Sequence, residues 1–262
     1  MSNYLGLETN DGIATLTIDR PALRNAMNYE MWRAFPELCS QIRSDPKIRA
    51  LVITGAGEKA FSAGADIKDF EQYRKDPAGA KDWAQLVENA LQSLLNLPIP
   101  TISKIKGYCI GGGCELACFT DIRVAADEAR FAFPAARLGL VLGHLEVRRL
   151  IDLVGVGNAT FLLLSTREIR AEEALRMGLI TRMESLANLD EYVASLATEL
   201  ASLAPLSLRY TKEIIRTTVA KPDVEHLSVE ESNSIFEIFQ SRDYKEGRTA
   251  FVEKRKPRFI GR

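Results

Sequence analysis

Apolar and polar residues alternate through "GIATLTID" (12–19). With its β-branched side chains the segment reads as a half-exposed strand. "DRPALRNAM" follows as a turn, and the spacing in "YEMWRAFPELCSQIRSD" (29–45) predicts a helix that Pro36 kinks or divides. "RALVITGAG" (49–57) is a short continuous apolar run, the pattern of a strand covered on both faces. "PTISKIKGYCIGGG" (100–113) contains another strand and then a glycine loop, and "CELACFTD" (114–121) begins a helix. "IRVAADEARFAFP" (122–134) supplies two more strand-like pieces. Strands alternating with helices predict an α/β fold with a mostly parallel sheet.

Beyond about Ala159 the period changes. "NATFLLLS", "RAEEALRMGL", "LDEYVASLATELASLAP", "LSLRYTKEIIRTTVA" and "SVEESNSIFEIFQS" all carry helical spacing, so the last third is predicted to be helical. "YRKDPAGAKD" (73–82) is polar, holds Pro and Gly, and is the expected mobile loop.

Composition narrows the class. The 262 residues are 46% hydrophobic and 26% charged, as in ordinary globular proteins. Lys and Arg total 34 against 35 Asp and Glu, for a formal charge of −1, which argues against a dedicated nucleic-acid partner. No apolar run approaches the ~20 residues of a membrane-spanning helix. "MSNYLGLETNDG" has neither the charged nor the apolar region of a signal peptide, and a cytoplasmic location is expected. Cys39, Cys109, Cys114 and Cys118 show no zinc-like pairing and read as reduced, structural thiols. No ligand cluster or dinucleotide fingerprint appears, so neither metal nor redox cofactor is expected.

Two glycine loops are the candidate chemistry. "FSAGADIKDF" (61–70) and "GGGCEL" (111–116) each follow a strand and lead into helix-like sequence. Backbone N–H groups at such corners are unpaired and can face an anion. On adjacent parallel strands, two of these loops could aim two donors at one oxygen, the geometry that stabilises charge developing on a carbonyl. Taken singly, each loop is better explained as a tight turn or a close helix–sheet contact.

Together with "RPALRNAM", the stretches "AFSAGADIKDF" and "IKGYCIGGGCELACFTDIRVAA" closely resemble the crotonase superfamily of enoyl-CoA hydratases and isomerases. The resemblance extends through "STREIRAEEALRMGLI" to the ending "DYKEGRTAFVEKRKPRF". It implies a fold of repeated ββα units, with an α/β core over 1–200 and a helical trimerisation region over 201–262, assembled as a trimer or a dimer of trimers. It also implies an acyl-CoA thioester as substrate and an enolate held by the backbone N–H groups of Ala65 and Gly112. Ala63, Ala65, Asp66, Ile67 and Lys68 match the segment lining the CoA site, where Lys68 would meet a phosphate. Lys254 matches a lysine that helps bind CoA, sometimes on a neighbouring subunit.

Glu115 matches one of the two catalytic glutamates of the hydratases. The second falls in a Pro-Glu pair, and here that position is Ala135, which cannot carry a proton. Downstream, in "LGHLEV", His144 and Glu146 stand where relatives have small residues. His144, one of two histidines, is the candidate to take over proton transfer; Glu146 is the other candidate, and Arg137 a third polar group for the substrate. His226, among acidic residues, reads as surface. The expected reaction is hydration of a 2-enoyl-CoA to a 3-hydroxyacyl-CoA. The alternatives are isomerisation, hydrolysis or decarboxylation of a related ester, or acyl-CoA binding with little catalysis.

Overall fold

The computed structural model describes residues 4–221 and 223–262. The chain opens with a hairpin, β1 (Leu5–Asn10) against β2 (Ile13–Ile18), whose two-residue turn is Asp11-Gly12 with φ of 49° and 79°. An Asp-Gly pair with both φ positive matches the right-handed twist of the strands it joins. β1 went unpredicted because only Leu5 in it is buried and no alternation marks it.

After α1 (Tyr29–Ser44) the chain runs β3 (Ala50–Gly55), β4 (Ala60–Ser62), α2 (Lys68–Tyr73) and α3 (Pro77–Leu95). The unit then repeats as β5 (Thr101–Ile105), β6 (Tyr108–Ile110) and α4 (Gly112–Cys118), and again as β7 (Ile122–Ala126), β8 (Arg130–Ala132) and α5 (His144–Ser165). In each unit the first strand joins one sheet and the second strand joins another. β9 (Ile169–Arg170), α6 (Ala171–Met177) and β10 (Arg182–Glu184) complete the two sheets. The larger has the order β1-β2-β3-β5-β7-β10, parallel from β2 onward; the smaller is β4-β6-β8-β9, with β9 antiparallel. This is the ββα architecture that the family resemblance implies. α7 (Leu186–Ser202), α8 (Pro205–Ala220), α9 (Val229–Glu237) and α10 (Arg242–Val252) follow.

β3 is buried at all six positions, as its apolar run predicts. Leu51 and Ile53 join the main core with Trp32, Phe35 and Leu38 of α1 and Leu91 and Leu94 of α3. Val52 faces the other way, with Ile102, Val124 and Leu189, Val193 and Ala197 of α7. A side chain buried so completely contributes about 1.5–3 kcal/mol each, so α1, α3 and α7 hold the central sheet rigid from both sides. Lys212 of α8 donates to the Asp121 carboxylate at 2.6 Å and the Ile99 carbonyl at 3.0 Å, tying the C-terminal helices to the core.

Three expectations are corrected. α1 continues through Pro36 as one helix, because its buried face spans the proline from Met31 to Ile42. The expected loop 73–82 is largely the start of α3. Asp76 caps that helix by accepting from the Gly79 amide at 2.8 Å, and Pro77 occupies its first position, where a missing N–H costs nothing. "TISKIKGYCI" is two strands in different sheets rather than one, turning at Gly107 with φ 56°.

Candidate active site

The two glycine loops meet. The first leaves β4 and is pinned by the segment before α1: the Met27 amide donates to the Gly64 carbonyl, and the Asp66 amide donates to the Met27 carbonyl, both at 2.8 Å. In this parallel bridge Met27 bonds the residues flanking Ala65. The N–H of Ala65 itself therefore points to the opposite side. Asn25 braces the β3–β4 connection that leads into this loop. It is 1% exposed, with its side-chain amide donating to the Ala56 and Ala60 carbonyls and its carbonyl accepting from the Arg20 amide.

The second loop leaves β6 and opens α4, and its three glycines have three separate reasons. Gly111 has φ 51° and ψ −119°, a conformation that disfavours any side chain. A Cβ on Gly112 would lie 3.2 Å from the Trp32 ring and 3.5 Å from the Ala65 nitrogen, so the bare backbone lets the loops approach. A Cβ on Gly113 would lie 2.6 Å from the Ser62 carbonyl oxygen, so α4 rests directly on β4. Gly112 is the first residue of the helix, where an N–H has no intrahelical partner. Among the described residues, neither the Ala65 nor the Gly112 amide donates to a protein acceptor.

Both amides border a cavity of about 370 Å³. Ala63, Ile67, Trp83, Val87, Phe133 and Leu142 supply much of its apolar wall, and Arg74, Glu115, Arg137 and Glu146 are its charged members. Glu115, three residues after Gly112, holds its proton up to a pKa of about 7; burial is the main cause, the Glu146 carboxylate adds to it, and the Arg74 guanidinium opposes it. Arg74 stacks over Phe70 at 4.5 Å and Trp83 at 5.7 Å. Burial draws its pKa down from the ordinary value. Neither Arg74 nor Trp83 was recognisable in the sequence: Arg74 lies in the stretch that reads as a loop, and no motif or spacing marks Trp83 as a site residue. Arg137 borders the cavity, yet its Nε and Nη2 donate to the Thr166 hydroxyl and carbonyl at 2.9 and 2.8 Å.

Of the two candidates after Ala135, the structure brings Glu146 to the cavity and not His144. Ala135 borders the cavity on a short 3-10 turn. His144 is exposed and is not a lining residue, whereas Glu146 is 7% exposed and is one. Two residues apart on a helix are turned by about 200°, so when Glu146 faces the cavity His144 must face away. Asp66 departs from expectation: its carboxylate is taken by Arg20 at 2.9 Å and by the Lys68 amide, outside the lining. Lys68 and Lys254 are exposed and do not line the cavity, while Ala63, Ala65 and Ile67 do. His226 is exposed and pairs with Asp223 at 2.8 Å, as a surface residue would.

Comparisons with known proteins bear on the family and the fold. The family model for enoyl-CoA hydratase/isomerase matches residues 8–262. A carnitinyl-CoA dehydratase of Escherichia coli K12 is 38% identical over 267 residues, covering all of both chains. A short-chain-enoyl-CoA hydratase of Clostridium acetobutylicum is 34% identical over 254 residues, covering 97% of this chain and 96% of the relative. The crystal structure of an enoyl-CoA hydratase/carnithine racemase from Magnetospirillum magneticum superposes with a TM-score of 0.95 at 34% identity, over 100% of this chain and 97% of the other. With a family match over nearly the whole chain and the fold to go with it, the protein belongs to the enoyl-CoA hydratase/isomerase family.

Proposed function

We propose that the protein adds water across the C2=C3 bond of a short-chain 2-enoyl-CoA, giving the 3-hydroxyacyl-CoA. The observation that carries this reading is the pair of unspent amides, Ala65 and Gly112, on touching loops at the wall of one cavity with Glu115. The thioester carbonyl accepts from both amides. When the water oxygen bonds to C3, the electrons of the double bond move onto that carbonyl oxygen, and two fixed donors there stabilise the resulting enolate. Losing one such donor typically costs ~10²–10³ in rate. Glu115 handles the proton exchanged at C2. The hydratase and dehydratase names of the relatives support the same chemistry, run in either direction. Ala63 and Ile67 flank the pantetheine, and Lys68, next to Ile67, meets a phosphate of the nucleotide.

Crotonyl-CoA tests the reading. Absorbance of the conjugated thioester is expected to fall as a product heavier by one water forms. Intact crotonyl-CoA, alongside a 3-enoyl-CoA that gains conjugation, would point to isomerisation instead. We further propose that 201–262 is the assembly region, since Ile215, Phe236, Phe239, Phe251 and Val252 are large, apolar and exposed on it. Light scattering is expected to give a mass of three or six chains; a monomer would contradict this.

A further inference from the structure

Glu146 lines the cavity from the first turn of α5. It is 7% exposed, and among the described residues its Oε2 is buried with no hydrogen-bond partner. Leaving a buried carboxylate oxygen unpaired is costly, and a leucine on this turn of α5 would avoid the cost. The surroundings do not neutralise it. Its own backbone N–H favours the charge, but the charged groups acting with it are acids, Glu88 of α3 and Glu115 of α4, and the Arg74 guanidinium acts on Glu115. Room is nevertheless kept for it: a Cβ on Gly143 would lie 2.5 Å from Oε2 and 3.5 Å from Oε1 of Glu88.

We infer that Glu146 is the second catalytic carboxylate of this site, supplied from the first turn of α5 in place of an acid at Ala135. The inference rests on the hydration reading and completes its proton balance. Two carboxylates in one cavity, short of counter-charge, share a proton near neutral pH. Glu146 is the ionised member and Glu115 the protonated one. The Glu146 carboxylate takes one proton from the water as the water oxygen bonds to C3 and the C2=C3 π pair moves toward the thioester oxygen. Glu115 gives its proton to C2 as the enolate collapses to the thioester. The product has gained one water, and the proton now on Glu146 returns to Glu115, resetting the pair.

The test is Glu146→Gln in the full-length protein, read two ways. With crotonyl-CoA, kcat is expected to fall by ~10²-fold or more with KM little changed, and the acid-side limb of the pH–rate profile is expected to vanish, because glutamine has no proton to lose. Carboxyl ¹³C NMR of protein labelled at glutamate gives the second reading, which needs no turnover. The Glu115 signal is expected to titrate near 7 in the parent protein and clearly lower in Glu146→Gln, once the neighbouring charge is gone. Unchanged kcat and an intact acid limb would overturn the catalytic assignment. A Glu115 titration that the substitution leaves in place would overturn the shared proton. Should the parent protein fail to hydrate crotonyl-CoA, the hydration reading falls, and the titration still decides whether the two acids form a pair.

Discussion

Glu115→Gln is expected to lower kcat for hydration by ~10²–10⁴-fold while leaving the affinity for a saturated acyl-CoA unchanged. The range is what a positioned proton-transfer group contributes, and affinity should be spared because the proposed grip on the thioester is made by backbone amides rather than by this side chain. The same substitution is expected to make the protein more stable at alkaline pH. Glu115 has an ordinary pKa of 4.5 and a folded value of about 7, raised chiefly by burial. A carboxyl raised in the folded state binds its proton more tightly there than in the unfolded chain. Its contribution is therefore fully favourable below about pH 4.5 and is lost as pH rises through about 7. The shift corresponds to on the order of 3 kcal/mol. Thermal unfolding should show Glu115→Gln well above the parent at pH 8 and close to it at pH 4. Equal melting temperatures at pH 8, or undiminished turnover, would remove Glu115 from the proposed role.

Gly113→Ala is expected to damage fold and chemistry together. The added methyl would lie 2.6 Å from the Ser62 carbonyl oxygen and 2.9 Å from its Cβ, so α4 must retreat from β4. Overpacking of this kind costs roughly 1–3 kcal/mol. The retreat carries Gly112 away from the Ala65 loop, and one donor is lost to the carbonyl. A further ~10²-fold or more in kcat should go with it. Denaturant unfolding measures the first effect, and crotonyl-CoA kinetics on the folded variant measure the second. A variant that loses stability but keeps its full kcat would show that the spacing of the two loops is not what sets the rate.

Much of this architecture was legible in the chain because it is written in local periods. The all-apolar run of β3, the alternation of β2 and the helical spacing after Ala159 each reflect which faces are buried. The glycine loops were legible because close backbone contact excludes side chains, and glycine alone meets that requirement. Pro36 and "YRKDPAGAKD" misled for a common reason. Proline and glycine mark breaks only when nothing else decides, whereas a buried face carries α1 through its proline and an Asp76–Pro77 cap makes an apparent loop the start of α3.

The sequence by itself determined the two-loop motif and placed an alanine at 135, since each depends on residue type at a fixed position; the ββα order entered only through the family resemblance. Which of His144 and Glu146 turns toward the cavity, and that Arg74 joins it from the far side of α2, only the tertiary structure decided. The direction of a side chain at the start of α5 depends on how that part of the helix is rolled against α4. That roll is set by packing between segments distant in the chain, which no local pattern encodes.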